Sequence, residues 1–237
     1  MKITILYLYY DILNLYGESG NVKALKKYLE SLQVDVHIKF STLNDEINLK
    51  DVDMIYIGMG SDNNQLLALK HLKKYKKEIK EFILNGKFVL ATGNAMELFG
   101  HSIDHEPALN IFSYSTKKET YRIVDEALYK TNSISSYIIG FNNRNSILLN
   151  NEHPLFQSIK GVGNSPKETK EGYTEYHFYG TYLVGPLLIR NPDFLKFLVR
   201  ELIHFKQPDF KIKKVSLKLE EQAHQEFMKN YYSEYVV

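Results

Sequence analysis

The chain has 237 residues, of which 44% are apolar and 24% charged, so it can bury the core of one large domain or two small ones. Its formal net charge of +2 gives no overall field that would favour nucleic acid or an anionic membrane as the main partner. The absence of cysteine excludes disulfides, thiolate zinc sites and a cysteine nucleophile.

The N-terminal part of the chain alternates predicted strands and helices. "KITILYLYY" and "DVHIKF" have the composition of strands, and "GESGNVKALKKYLESL" between them has apolar residues at helical spacing. "DMIYIGMG" and "KFVLA" are further strands, separated by the helical pattern "LLALKHLKKYKKEIKEFILNG", which ends at Gly86. This βαβ repetition predicts a parallel sheet covered by helices.

No secretory or membrane-spanning segment is expected. Asp11 interrupts the apolar run at the N-terminus, and no small-residue cleavage site follows it. No other run approaches the roughly 18 to 20 apolar residues that span a bilayer. We therefore expect a soluble, cytoplasmic protein.

The later part of the chain changes character. Strand-like runs separated by turns favour an antiparallel, β-rich second half, followed by the amphipathic helix "DFLKFLVRELIHF". We expect a domain over residues 1–205, and a link and amphipathic helix over 206–237. This last helix has an apolar stripe that should dock on the domain or on a partner, formed by Leu219, Ala223, Phe227 and Tyr231.

The stretch "KFVLATGNAMELFG" predicts a buried strand, a sharp turn and a helix that ends at Gly100. In α/β enzymes such a turn presents a nucleophilic side chain at the carboxyl edge of the sheet, above a helix N-terminus. The tip of this turn is Gly93, which has no side chain to present.

Four segments, in order and at matching spacing, resemble the class I glutamine amidotransferases of the CobB/CobQ type. They are "LNLYGESGNVKALKKYLE", "IYIGMGSDNNQ", "VLATGNAMELFG" and "GTYLVGPLLIRNPDF". The likeness is nearest to the amidotransferase subunits of lipid II isoglutaminyl synthase. It implies an α/β, flavodoxin-like fold with helices on both faces of a parallel sheet, a β-rich second half and a C-terminal helix.

Both catalytic positions of that family are changed in this sequence. The resemblance places the family's cysteine at Gly93 and its histidine at Val184. Hydrolysis of glutamine needs a thiolate to attack the side-chain amide and an imidazole to carry the proton to the departing ammonia. Glycine and valine can do neither, so we expect no catalytic residue at these positions and no glutaminase activity.

The resemblance also implies a vestigial ligand pocket, lined by Gly58, Gly60, Gly93, Asn94 and Met96. In the family, the loop at Gly58 to Gly60 supplies a backbone N–H group to the oxyanion. Backbone donors survive side-chain changes, so an anion or an amide could still bind there. The simpler interpretation of the same loop is a tight turn that needs glycine.

Other signals have simpler structural interpretations. Thr92 and His177 could be proposed as substitute nucleophile and base, but Thr92 should face away from the tip and His177 lies roughly 20 Å along the strand from position 184. His101 and His105 have a metal-binding spacing but lie in a predicted loop. The lysines between residues 70 and 80 suit a solvated helix face. We expect no metal, no cofactor and no nucleic-acid partner.

Three functions remain open. The first is a non-catalytic homologue that binds a protein partner, either a Mur-ligase-like synthetase or another cell-wall subunit, or that forms a homo-oligomer. The second is a module that binds glutamine or a related small molecule without cleaving it. The third is a residual amidotransferase that supplies ammonia for amidation of the peptidoglycan stem peptide.

Overall fold

The fold is described by a computed structural model that covers residues 1–235. It has two six-stranded sheets and six α-helices within that range. The strands are β1 Lys2–Leu8, β2 Asp35–Ser41, β3 Met54–Ile57, β4 Phe88–Thr92, β5 Ser102–Ile103, β6 Glu106–Pro107, β7 Ser115–Lys130, β8 Ile138–Leu149, β9 Phe156–Lys160, β10 Lys170–Glu171, β11 Tyr173–Glu175 and β12 Phe178–Thr181. The helices are α1 Ser19–Ser31, α2 Asp62–Leu72, α3 Lys76–Leu84, α4 Leu187–Arg190, α5 Pro192–Lys206 and α6 Lys218–Tyr231.

The central sheet has the strand order β11-β12-β4-β3-β1-β2. All its pairings are parallel except that of β11 with β12. Alternate residues of β1, β3 and β4 point to opposite faces, so one face packs against α1, α4 and α5 and the other against α2 and α3. The predicted parallel sheet with helices on both faces is confirmed.

The second sheet is built around the long hairpin of β7 and β8. Strand β7 also pairs with β9 and, through one residue, with β5, while β10 and β6 extend the sheet at its ends. Asn191, just before α5, ties the hairpin to the helices because its side chain bonds both the N–H and the C=O groups of Ile139, at 2.7 and 2.9 Å. The predicted β-rich second half is confirmed.

The helical pattern predicted before Gly86 is divided into two helices. A 3₁₀ turn, Lys73–Tyr75, separates α2 from α3, and Tyr75 leaves helical geometry with φ −114° and ψ 18°. The Tyr75 ring packs edge-on against His71, with ring centroids 5.3 Å apart. Helical spacing alone does not reveal this interruption, because the residues on both sides keep their apolar faces towards the sheet.

The C-terminal helix α6 docks on the hairpin mainly through Met228, which lies outside the predicted stripe. Met228 and the following Tyr232 are buried against Leu128 and Ile139 of the hairpin. Leu219, at the start of the predicted stripe, is 77% exposed. Of the predicted stripe, Phe227 packs beside this contact whereas Leu219 and Tyr231 are exposed, so the stripe as a whole does not dock on the domain and its cover by a partner stays a prediction.

Residues 1–235 show neither a membrane-spanning helix nor a metal-ion cluster. None of the helices in that range combines the length and apolarity required to cross a membrane. The same part of the chain contains no cluster of three or more His, Asp or Glu side chains that could hold a metal ion.

Candidate functional site

The turn after β4 has the sharp geometry that the sequence predicts. Gly93 has φ +60°, a left-handed conformation that favours glycine, and the following residues form a 3₁₀ helix, Gly93–Phe99. A Cβ atom built on Gly93 would lie 2.6 Å from the Cβ and 2.9 Å from the Sδ of Met59. The side chain of Met59 therefore occupies the space that a nucleophile at position 93 would need.

The backbone donor expected on the glycine loop is already bonded within the chain. The Gly60 N–H group donates to Asn94 Oδ1 at 3.1 Å, and Asn94 Nδ2 donates back to the Gly60 carbonyl at 2.9 Å. Asn94 lies directly after the tip of the turn, so its side chain closes the place where an oxyanion would accept a bond. The Gly60 N–H group of the loop is therefore not free, and a free donor elsewhere on the loop stays a prediction.

Gly58 and Gly60 also have a packing role. A Cβ atom at Gly58 would lie 2.7 Å from the carbonyl oxygen of Leu13, and one at Gly60 would lie 2.2 Å from Leu13 Cδ2. Both distances are too short for any side chain. The interpretation of this loop as a turn that needs glycine therefore has a direct steric basis.

Val184 is buried in the segment that follows β12, with 3% of its surface exposed. Its N–H group donates to the carbonyl of Phe141 in β8 at 2.9 Å. Gly185 follows in a left-handed conformation with φ +80°, and its N–H group donates to Glu18 Oε1 at 3.1 Å. The segment is thus held by β8 on one side and by a buried carboxylate on the other.

Glu18 is the site residue that sequence analysis missed. Its side chain is fully buried, and Oε2 accepts hydrogen bonds from the hydroxyl groups of Tyr56 and Thr92. Glu18 therefore bonds Thr92, which precedes Gly93, and Gly185, which follows Val184. Burial raises the pKa of Glu18 to about 7, against the lowering effect of these hydrogen bonds. In the sequence, Glu18 looks like an ordinary acidic residue before a helix, and only the tertiary structure brings it to the site.

A cleft of about 400 Å³ lies beside the turn, at the carboxyl edge of the central sheet. Of the predicted pocket residues, Gly60 and Asn94 line it, and Gly58, Gly93 and Met96 do not. Met96 is fully buried and packs next to Gly180 of β12, so the expectation that it lines the pocket is wrong. The charged lining residues are Asp62, Glu97, Lys118, Arg122 and Arg144.

The floor and wall of the cleft contain a buried polar network. Glu97 accepts bonds from Gln65 Nε2 at 2.7 Å and from the Ser146 hydroxyl, and burial raises its pKa. The guanidinium group of Arg144 donates to backbone carbonyls of residues 146, 163 and 164 and lies 3.9 Å from the centroid of the Tyr182 ring. Within residues 1–235, Arg144 Nε has no hydrogen-bond partner.

The two substitutes considered in the sequence do not meet. The Thr92 hydroxyl lies in the network of Glu18 and Tyr56. His177 bonds the Gly86 carbonyl at 2.6 Å and stacks on Phe88, with ring centroids 4.1 Å apart. Because Phe88 begins β4 and Thr92 ends it, the two side chains lie at opposite ends of that strand.

Comparisons with known proteins agree with this geometry. The CobB/CobQ-like glutamine amidotransferase domain matches residues 4–192. Subunit GatD of lipid II isoglutaminyl synthase (glutamine-hydrolyzing) from Staphylococcus aureus is 28% identical over 229 residues, 94% of each chain. The subunit of the same name from Streptococcus pneumoniae is 27% identical over 200 residues, 81% of this chain and 77% of that one.

Two solved structures show the same fold at low sequence identity. A glutamine amidotransferase from Thermotoga maritima has a TM-score of 0.52 at 10% identity, covering 94% of this chain and 91% of that one. Another glutamine amidotransferase has a TM-score of 0.56 at 12% identity, covering 84% of this chain and 97% of that one. The match to the family domain spans most of the chain and confirms the resemblance seen in the sequence. The chain belongs to the family of CobB/CobQ-like glutamine amidotransferase domains.

Proposed function

We propose that this chain is a catalytically inactive member of its family that acts by binding a protein partner. The observation that carries the proposal is the state of the turn at Gly93. This position has no nucleophile, and Met59 fills the adjacent space. Position 184 has no imidazole, and Asn94 occupies the N–H group of Gly60.

These changes act on separate requirements of glutamine hydrolysis. The reaction needs a nucleophile, a proton carrier and a donor for the oxyanion. In a serine protease, losing the nucleophile or the base alone costs about six orders of magnitude in turnover. Loss of one group could follow from a single substitution, but here the surrounding side chains have also packed into the site. The packing of these side chains supports the proposal that this chain no longer needs an open catalytic site.

The partner we propose is a Mur-ligase-like synthetase subunit in the cytoplasm. Both GatD relatives are, by name, subunits of a synthase, and the Staphylococcus relative matches along 94% of this chain. A chain that keeps the whole fold while losing the reaction retains the outer surfaces by which a subunit is recognised.

Co-expression tests the proposal. The chain would be produced with the Mur-ligase-like synthetase of the same organism, and the complex measured by light scattering after size-exclusion chromatography. We expect a stable complex and no ammonia release from glutamine by this chain. A chain that elutes alone at every concentration would contradict partner binding. Ammonia release that is lost in Thr92→Val or His177→Ala would contradict inactivity.

A second candidate is a binding module for glutamine or a related small molecule. The cleft of about 400 Å³ and its Arg122 side chain favour it, because arginine pairs well with a carboxylate. Titration calorimetry with glutamine and glutamate tests this candidate, with Arg122→Gln as the variant. Heat that disappears in the variant supports the module, and no heat at millimolar ligand excludes it.

A further inference from the structure

Helices α2 and α3 form one outer surface of the protein. Both pack their buried residues against the same face of the central sheet. The exposed residues of both helices therefore point away from the sheet to the same side of the molecule. We call this surface the lysine face and define it by the exposed residues of 66–84.

The lysine face concentrates the positive charge of the chain. Residues 70–81 contain six lysines and two glutamates, a net charge of +4, whereas the whole chain has only +2. All six lysines are exposed. Lys73 pairs with Glu106 at 2.6 Å and Lys77 with Glu81 at 4.0 Å. Within the described part of the chain, the other four form no ion pair.

Exposed leucines lie among these lysines. Leu66, Leu67 and Leu84 are 40%, 50% and 48% exposed. On α2, Leu66 and Lys70 are four residues apart and so lie on one side of the helix. A cluster of lysines on amphipathic helices is typical of a surface that binds anionic lipid, and the exposed leucines add apolar groups to this surface.

We propose that the lysine face docks on an anionic membrane surface. Its lysines would meet the lipid phosphate groups, and its leucines would enter the boundary between headgroups and acyl chains. Nucleic acid fits less well, because residues 62–87 contain no arginine and Tyr75 is packed against His71 instead of being free to stack on a base. This surface lies outside the cleft, so the inference does not depend on the proposed function.

Co-sedimentation with vesicles tests the proposal on the full chain. The vesicles would contain phosphatidylcholine alone or mixed with phosphatidylglycerol, at about 0.1 M and about 1 M salt, where the Debye length is about 10 Å and about 3 Å. The test variant is the triple substitution Lys70→Gln, Lys74→Gln and Lys80→Gln. The matched control replaces Lys23, Lys26 and Lys27 by glutamine. These lysines lie on α1, which covers the opposite face of the sheet.

We expect the wild type to bind only the anionic vesicles, and to release them at high salt. The lysine-face variant should bind about a hundredfold more weakly, since each lysine contributes about fivefold. The control variant should bind as the wild type does. A wild type that does not bind anionic vesicles at the lower salt overturns the proposal, as does equal weakening in both variants.

Two further measurements separate the membrane from other polyanions. Leu66→Ser with Leu67→Ser should weaken vesicle binding while leaving the salt dependence in place. Unchanged affinity in that variant would show that no leucine enters the bilayer and would overturn the choice of a membrane. Tighter binding to a DNA oligonucleotide, lost in the lysine-face variant, would overturn it in favour of nucleic acid. Circular dichroism checks that each variant is folded.

Discussion

Met59 and Asn94 change what can be expected of a repaired site. Replacing Gly93 by cysteine restores a thiol, but the new Cβ atom would lie 2.6 Å from Met59 Cβ. Truncating Met59 to alanine would not relieve this contact, because alanine keeps the Cβ atom. Only glycine at position 59 would make room, and only a smaller residue at 94 would free the N–H group of Gly60.

We therefore expect the double variant Gly93→Cys, Val184→His to release no ammonia above background. Adding Met59→Gly and Asn94→Gly should raise the release measurably, since the space and the oxyanion donor are then both available. A coupled glutamate dehydrogenase assay measures ammonia release by the double and the quadruple variant. Vigorous turnover by the double variant would show that Met59 and Asn94 do not obstruct the site.

Glu18 makes stability depend on pH. Its folded pKa is about 7 and its unfolded value is near 4.5, so the unfolded chain loses its proton first as the pH rises. The resulting stability is complete below about pH 4.5 and is lost by about pH 7, about 3 kcal/mol in total at 1.36 kcal/mol per pKa unit. Glu171, buried against Thr181 and Tyr182, has a pKa raised to about 7 by burial and acts in the same direction.

We expect the free energy of unfolding to fall between pH 5 and pH 8, and to fall less in Glu18→Gln because glutamine does not ionise. Urea unfolding at the two pH values measures the difference. Glu171→Gln should flatten the same window. The same pH dependence in the wild type and in both variants would show that neither carboxyl group titrates there.

At this scale the sequence predicted the sharp turn at Gly93 and could not predict the side chains that pack around it. Gly93 and Val184 were identified from residue type and spacing within recognisable segments. Met59 filling the space and Asn94 bonding Gly60 depend on side-chain packing between segments far apart in the chain. No local pattern around either residue indicates it.

Among the elements, α6 shows how far periodicity can be used. The existence and approximate bounds of this helix were predicted, because an apolar residue every four positions is a helical signal. The burial of Met228 was not, because Met228 lies outside the predicted stripe and its contact with Leu128 and Ile139 of the hairpin depends on the tertiary structure. The parallel order of the central strands was predictable because βαβ units permit few alternatives.

The two faces of α6 should respond differently to truncation. Met228→Ala removes buried contacts with the hairpin and should lower the free energy of unfolding by about 2–5 kcal/mol. Leu219→Ala, on the exposed face, should change it by less than about 0.5 kcal/mol. Thermal and urea unfolding measure the free energy of unfolding of the two variants beside the wild type. Equal losses would mean that α6 does not dock through Met228.

At the scale of the whole molecule, the family fold is shown, and the proposal is that the chemistry has been lost from it. The family fold is retained, with two sheets and helices on both faces of the central one. The turn after β4 is sharp, with φ +60° at Gly93. The side chains around it now stabilise the closed turn through Met59, Asn94 and Glu18, which is compatible with a protein recognised by its surface.

The central claim, that this chain does not hydrolyse glutamine, is tested most directly by ammonia release. The purified wild type would be assayed with glutamine, alone and with the synthetase partner, beside GatD from Staphylococcus aureus as the active reference. We predict release at the level of the glutamine-only blank in both conditions. Glutamine-dependent release by the wild type that disappears in Thr92→Val or His177→Ala would contradict the account.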